Sequence, residues 1–183
     1  MRYTKYIQTI VMTILFSSCS YLDFDETTGL KSKEDMYKYY ASIEQMLTNV
    51  YSYMPNDLTA ATMRDCGCDD AEHGNSASAY QYFNNGSWSA LNTVDDAWSL
   101  YKGIRAANGF IDKISRADIS RYEHHLSYEN WVKKMALFPY EARVLRANYF
   151  FELARRYGDI AMPLEVLDAE GANAIAKTSF EDV

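Results

Sequence analysis

Clustered positive charge and long apolar runs are both missing from this sequence of 183 residues. Lys and Arg number 18 against 25 Asp and Glu, which gives a formal net charge of −7. A nucleic-acid partner is not expected, because binding to phosphates relies on clustered Lys and Arg, and here these residues are scattered among more numerous acids. A membrane-spanning helix is not expected either, since it needs about 20 mainly apolar residues in a row.

Cysteine is also scarce, with three residues at Cys19, Cys66 and Cys68. So few cysteines exclude the disulfide framework of a small secreted domain. The chain is long enough for one hydrophobic core, since domains commonly span about 100 to 200 residues.

Residues 1–18 have the pattern of a signal peptide. Arg2 and Lys5 provide a cationic start, and a short apolar run follows from Ile7 to Phe16. Two serines then precede Cys19, in a pattern that resembles the lipobox at which bacterial lipoproteins are cleaved and acylated on the cysteine. The alternative is an ordinary signal peptide with a chance cysteine.

Cleavage before Cys19 would leave a lipidated tether over residues 19–31. Two or more acyl chains would hold the protein on a membrane without a spanning helix. Loss of Arg2 and Lys5, the two charged residues before Cys19, would lower the net charge from −7 by two units to −9. The acids Asp23, Asp25 and Glu26 stand where surface-exposed lipoproteins carry an export tag, although they also suit a solvated tether.

The pattern from residue 32 onward predicts an all-α fold. Ser32 followed by Asp35 predicts a capped helix start, and Pro55 predicts the end of that helix. The apolar residues between them recur every three or four positions, as the buried stripe of a helix does: Met36, Tyr39, Tyr40, Ile43, Met46, Leu47, Val50 and Met54.

Two more helical regions follow. The first starts at Thr93, with Asp96 three positions later, and contains Gly103 and Gly109, which we expect to permit close packing against a neighbour. The second opens at Ser127, and we expect a kink or a break at Pro139. It then resumes from Tyr140 to a C-cap at Gly158, with a buried stripe at Ala142, Leu145, Tyr149, Leu153 and Tyr157.

Ser179 and Asp182 repeat the helix-start signal where the sequence stops. We therefore expect this chain to be the amino-terminal part of a longer protein. Stacked helix pairs of this kind are similar to a tetratricopeptide-like array, although the intervals between helices are uneven.

Residues 56–92 interrupt the helical pattern with many Asp, Asn, Gly and Ser residues. A loop of this length is uncommon in a compact domain and is usually functional or disordered. Its aromatic residues argue against simple disorder. This predicts a long irregular excursion with aromatic side chains: Tyr80, Tyr82, Phe83 and Trp88.

The segment YEARVLRANYFFELARRYGDIAMPL at residues 140–164 resembles the signature of the SusD/RagB family of nutrient-binding lipoproteins. Supporting segments are DDAWSLYKGIRAANGFIDKI at residues 95–114, CDDAEHGNS from Cys68 and CSYLDFDET from Cys19. Together these segments extend over nearly the whole chain after the signal peptide, and residues 32–183 correspond to a SusD-like amino-terminal helical domain.

The resemblance implies a lipoprotein tethered to the outer leaflet of the outer membrane and facing the cell exterior. Members of the family act as a lid on a SusC-like TonB-dependent transporter barrel and capture oligosaccharides or other nutrients for import. This implies neither catalysis nor a cofactor. Family members are usually much longer than this chain.

The excursion provides candidate ligand contacts for a glycan. Sugars need exposed aromatic faces with polar groups at the edges. Tyr80, Tyr82, Phe83 and Trp88 could stack on sugar rings, whereas the hydroxyl-binding candidates are Asp69, Asp70, Glu72, Gln81, Asn84 and Asn85. The alternative is that these aromatics pin the loop to the helices. Trp98 and Trp131 lie in predicted helices and are expected in the core.

A metal site and a glycosidase site are not predicted. Cys66, Cys68 and His73 with neighbouring acids suggest a metal site, but structural zinc sites use a second ligand pair, which the sequence lacks. A glycosidase needs two carboxylates across the scissile bond, and sequence neighbours cannot show such a separation. The adjacent His124 and His125 are expected as a surface pair.

Two alternative functions stay open from the sequence. The chain could be a helical repeat scaffold that binds a protein partner, or a nonfunctional truncated remnant.

Overall fold

A computed structural model describes residues 32, 34–55, 64–91, 93–94 and 96–183. The predicted signal peptide, the tether and its lipidation site at Cys19 lie outside the described residues, as do residues 56–63 of the excursion. Tyr37–Val183 form one compact unit.

The described chain is mostly helical, with two short antiparallel ribbons in addition. The helices are α1 (Tyr40–Tyr51), α2 (Gln81–Asn84), α3 (Leu100–Ile114), α4 (Tyr128–Met135), α5 (Phe138–Tyr157) and α6 (Ala169–Ala174). The ribbons pair β1 (Gly67–Cys68) with β2 (Ala71–Glu72), and β3 (Ile160–Ala161) with β4 (Lys177–Thr178). Four 3-10 turns complete the elements: Asp35–Lys38, Arg64–Cys66, Ser120–Tyr122 and Phe180–Asp182. The predicted helical class is therefore confirmed, with the ribbons as an addition that the sequence pattern did not predict.

The predicted cap at Ser32 is present, but it starts a 3-10 turn and not an α-helix. Ser32 Oγ accepts a hydrogen bond from the Asp35 amide at 3.1 Å and donates one to the Asp35 carboxylate at 2.6 Å. Tyr39 then takes an extended conformation, with φ −123° and ψ 118°, and α1 begins only at Tyr40. The prediction of one continuous helix from Ser32 to Met54 was wrong at both ends, since α1 ends at Tyr51.

Helix α3 starts at Leu100, seven residues after the predicted start at Thr93. The prediction about Gly103 is consistent with the packing, because a Cβ there would lie 2.8 Å from Tyr53 Cβ and 2.9 Å from Tyr149 Cε2. The prediction about Gly109 was wrong, since a Cβ there would meet only Val166 Cγ2 at an ordinary 3.7 Å.

The break predicted at Pro139 is confirmed. Helix α4 ends at Met135, and α5 starts at Phe138 with the proline in its first turn, where a missing amide hydrogen costs nothing. At the other end Gly158 has φ 70°, which suits glycine because it has no Cβ.

The core lies where α1, α3 and α5 pack on one another. Tyr149 of α5 is fully buried, and its hydroxyl donates to the Val50 carbonyl at the end of α1. The buried residues of α1 are Tyr40, Ile43, Leu47 and Val50. Those of α3 are Leu100, Ile104, Ala107, Phe110 and Ile114. Those of α5 are Ala142, Leu145, Tyr149, Phe150, Leu153 and Ala154.

Helix α5 is buried on one side and exposed on another. Phe150 is buried, but Tyr140, Val144 and Phe151 are well exposed along one stripe of the helix. Among the described residues, no helix combines the length and the apolar character needed to cross a membrane.

Candidate functional site

The described part of the excursion folds around the first ribbon and the single turn of α2. In the ribbon Gly67 pairs with Glu72, and Cys68 with Ala71. Two side chains of α2 tie it to this region: Gln81 Nε2 donates to the His73 carbonyl at 2.7 Å, and Asn84 Nδ2 donates to the Cys66 carbonyl at 3.1 Å. Residues 64–91 thus have local order of their own.

Three of the four predicted stacking residues form one aromatic cluster. The Phe83 ring lies 6.0 Å from Tyr80 and 5.8 Å from Trp88, centroid to centroid, at interplanar angles of 57° and 31°. Trp88 is 56% exposed, whereas Tyr80 and Phe83 are half-buried. Among the described residues, the Tyr82 ring pairs with no other ring, although its carbonyl accepts from the Trp88 amide at 3.0 Å. The predicted aromatic surface is therefore present without Tyr82.

A polar depression of about 480 Å³ adjoins this cluster. The predicted hydroxyl-binding residues Asp69, Asp70, Glu72 and Asn84 line it together with Phe83. The Asn84 amide nitrogen is already engaged with Cys66, whereas its carbonyl oxygen can accept from a ligand. The structure thus brings an aromatic ring, three carboxylates and an amide to one concave surface.

The cysteines beside this depression are free thiols. Cys66 is partly buried, Cys68 is exposed, and Cys68 Sγ donates to the Asp65 carbonyl at 2.9 Å. Within the described ranges, no group of three or more His, Cys, Asp and Glu side chains is placed to hold a metal ion.

A second concave surface lies elsewhere, and it involves a residue that we expected in the core. Trp98 precedes α3 and is 56% exposed. Its ring stacks on Tyr157 at 4.2 Å and 14°, and lies nearly parallel to Tyr101 at 6.2 Å and 11°. The prediction of a buried Trp98 was wrong, because the ring stacks against α5 from outside. Trp131 does pack against the core, stacked on Tyr40 at 4.7 Å.

The tyrosines of this stack are fixed by hydrogen bonds to the backbone. Tyr157 Oη accepts from the Ala97 amide at 3.0 Å, and Tyr101 Oη donates to the Ala161 carbonyl at 2.9 Å. Burial raises the pKa of Tyr101 above its ordinary value. We call Trp98, Tyr101 and Tyr157 the aromatic stack.

Polar side chains of α3 and α5 hold the segment opposite the stack. Buried Asn108 donates to the carbonyls of Pro163 and Glu165, both at 2.9 Å, and accepts from Arg146 Nη1 at 2.6 Å. Arg105 Nη1 donates to the Leu167 carbonyl at 2.6 Å. Burial and then the neighbouring positive charge of Arg143 lower the pKa of Arg146. The backbone from Ala161 to Leu167 is therefore anchored at several points.

A cleft of about 720 Å³ lies between the aromatic stack and this anchored segment. Six further lining residues are apolar: Ile160, Ala161, Pro163, Leu167, Ala172 and Ile175. Four more are charged: Arg105, Asp159, Glu165 and Lys177. Sequence reasoning missed this site. Its signal was the spacing of Tyr101, Arg105 and Asn108, which share one face of α3, with Trp98 three residues before Tyr101.

Comparison with known families gives one match. Residues 20–178 match a SusD-like family described as starch-binding and associating with the outer membrane. No curated protein and no solved structure matches the chain at a significant level.

Proposed function

We propose, from the premise that this chain belongs to the SusD-like family of starch-binding proteins that associate with the outer membrane, that it captures oligosaccharides at the cell surface without cleaving them. The family match extends over residues 20–178 and is to a binding family. The ligand contacts, the lipid anchor and the transport partner are the specific parts of this proposal.

The aromatic cluster beside the polar depression, with Trp88 exposed, is the observation that carries the proposal. A sugar ring presents C–H groups on one face and hydroxyls at its rim, so it suits an aromatic surface bordered by carboxylates and amides. Phe83 lies in both features, since it touches the Trp88 ring and lines the depression with Asp69 and Glu72. We assign glycan contact to Tyr80, Phe83, Trp88, Asp69, Glu72 and Asn84, with Tyr82 as a further candidate.

Titration of the purified chain with plant, host and microbial oligosaccharides tests the assignment. Trp88→Ala should weaken binding about tenfold or more, as truncation of a central aromatic anchor does. Leu126→Ala, which changes another exposed apolar residue, should leave binding unchanged. Equal affinity of the Trp88 variant and the native chain would refute the assignment, and release of reducing ends would refute the lack of turnover.

The lipid anchor is tested separately at Cys19. Acylation there would place the protein in the outer membrane, facing the exterior. Cys19→Ser should move the protein from the membrane fraction to the soluble fraction and remove the mass of the acyl chains. Membrane retention of this variant would exclude Cys19 as the anchor.

The proposed partner is a SusC-like TonB-dependent transporter barrel, to which the chain would pass its ligand as a lid. The proposal includes a tetratricopeptide-like pairing of helices, supported by the packing of α5 against both α1 and α3. Co-purification of the native chain with the barrel from detergent-solubilised membranes tests the partnership, and its absence would refute it.

A second candidate function, a helical scaffold for a protein partner, is favoured by the exposed stripe of α5. Tyr140, Val144 and Phe151 lie along this stripe, and Arg143 and Arg155 lie over its rings at 5.8 and 6.0 Å. Such a surface suits an apolar partner with acidic groups at its edge. Val144→Glu should then abolish co-purification with the barrel, whereas Leu126→Glu should leave it unchanged.

A further inference from the structure

We propose that the cleft beside the aromatic stack is a second carbohydrate site, which holds a neutral glucose ring against Trp98. The choice of a sugar as the ligand rests on the proposed function, but the residues that line the cleft are different from those of the excursion. The cleft volume of about 720 Å³ lies within the range of ligand sites, which is roughly 300 to 1,000 Å³.

The exposure of Trp98 at the cleft is the main reason. Tyr157 stacks on its indole at 4.2 Å and Tyr101 lies nearly parallel to it at 6.2 Å, and yet the residue is 56% exposed and lines the cleft. A flat apolar ring in this position offers the C–H face of a sugar the contact that it finds on aromatic side chains.

The stack is also rigid before any ligand arrives. The hydroxyls of Tyr157 and Tyr101 are fixed by the backbone of Ala97 and Ala161. Asn108 and Arg105 hold the opposite segment through its carbonyls. Binding therefore needs little ordering of the protein, which is the usual gain from a preorganised site.

The charges at the cleft favour a neutral occupant. Arg105 and Lys177 are balanced by Asp159 and Glu165 among the lining residues, so neither an anion nor a cation is selected by net charge. Sugar hydroxyls both donate and accept, and can therefore use both signs of charged group. A polypeptide partner with an acidic or a basic face would lack this complementarity.

Titration calorimetry with maltoheptaose, a soluble starch fragment, tests the proposal on the native chain and on a matched pair of variants. Trp98 and Trp88 have the same exposed fraction, 56%, so Trp98→Ala and Trp88→Ala remove equally exposed rings from the two sites. We expect the native chain to bind two molecules, and each variant to bind one. Trp98→Ala should weaken binding at the cleft about tenfold or more.

The possible outcomes separate the two sites. Loss of all binding in Trp98→Ala, with no effect of Trp88→Ala, supports the cleft and refutes the excursion. Native affinity and stoichiometry in Trp98→Ala, with loss in Trp88→Ala, refutes the cleft and retains the proposed function. A native chain that does not bind maltoheptaose refutes the cleft proposal, and the oligosaccharide panel then decides the excursion separately.

A second variant serves as a control for misfolding, because Trp98→Ala removes a ring that packs on Tyr157. Ala172→Trp adds bulk at an exposed position of the cleft lining and leaves the aromatic stack in place. It should abolish the cleft site while the thermal unfolding midpoint stays near that of the native chain. Unchanged sugar binding in this variant would overturn the proposal, as would dimerisation that depends on Trp98 and competes with no sugar.

Discussion

The packing of α3 against α5 predicts opposite effects for the same substitution at its two glycines. Gly103 and Gly109 both lie inside α3, so replacement by alanine should favour the helix by about 1 kcal/mol at either position. The surroundings differ. A Cβ at Gly103 would lie 2.8 Å from Tyr53 Cβ and 2.9 Å from the Tyr149 ring, whereas a Cβ at Gly109 would meet only the exposed Val166 at 3.7 Å.

Neither neighbour of Gly103 is the free end of a flexible side chain. Tyr53 Cβ is held by the backbone, and the Tyr149 ring is fully buried with its hydroxyl bonded to Val50. Overpacking of this kind costs about 1 to 3 kcal/mol. We therefore expect Gly103→Ala to be neutral or to destabilise the fold by up to about 2 kcal/mol. Gly109→Ala should stabilise it by up to about 1 kcal/mol.

Urea unfolding of both variants, followed by far-ultraviolet circular dichroism, measures the difference directly. The helix propensity cancels between the two variants, so the difference of about 1 to 3 kcal/mol reports the steric cost alone. If Gly103→Ala stabilises the protein as much as Gly109→Ala does, the close approach of α3 to Tyr53 and α5 is not present in solution.

Three further predictions concern buried polar groups. Tyr149→Phe should lower the free energy of unfolding by about 1 kcal/mol because it removes a buried hydrogen bond. Tyr51→Phe, at an exposed hydrogen bond, should change it by less than half as much. Glu152→Gln should destabilise the fold by about 1 to 2 kcal/mol, since that carboxylate is mostly buried between two arginines at 2.6 and 2.7 Å. Asp112→Asn removes an exposed pair and should cost under about 0.5 kcal/mol; equal losses would contradict the burial argument. The pKa of Tyr40 is raised to about 12, first by burial, and that of Tyr149 also to about 12. The contribution of these two tyrosines to the free energy of unfolding should be complete below the ordinary pKa near 10 and should fall as pH rises toward 12. Ultraviolet titration of tyrosinate, with Tyr40→Phe as the comparison, checks this sign, and release of all tyrosine protons near pH 10 would contradict it.

The long helices were predictable because their apolar stripes are strong and their ends carry backbone signals. Pro139 and Gly158 bound α5 for steric reasons that act within one or two residues. The stripe through Leu145 and Leu153 then follows from helical periodicity alone. Such local causes are visible in a sequence.

The predicted start of α3 was wrong because a tertiary contact, and not the local sequence pattern, determines where this helix begins. Thr93 with Asp96 has the pattern of a cap, but the Ala97 amide donates to Tyr157 Oη, a residue 60 positions away. Residues 97–99 then make tight turn bonds, and α3 begins at Leu100. No window of sequence around Thr93 contains that information.

The same limit applies to the two aromatic surfaces. Sequence composition identified the excursion, because Tyr80, Phe83 and Trp88 stand among polar residues. Trp98 stands in an apolar helical pattern, which favoured a buried position. Its exposure depends on where Tyr157 lies, and hence on how α5 crosses α3.

Without a ligand, both exposed tryptophans contribute less to stability than buried tryptophans would, and this links the two proposed sites. A tryptophan side chain can bury roughly 150 to 250 Å². With 56% of each residue exposed, complete burial would add about 2 to 3.5 kcal/mol per ring at about 25 cal/mol per Å². A single exposed apolar residue needs no explanation. Trp88 and Trp98, however, each lie in a cluster of rings beside a concave surface. Ligand binding would recover part of that free energy at each site, so saturating sugar should raise the unfolding midpoint, and removal of either ring should reduce that rise.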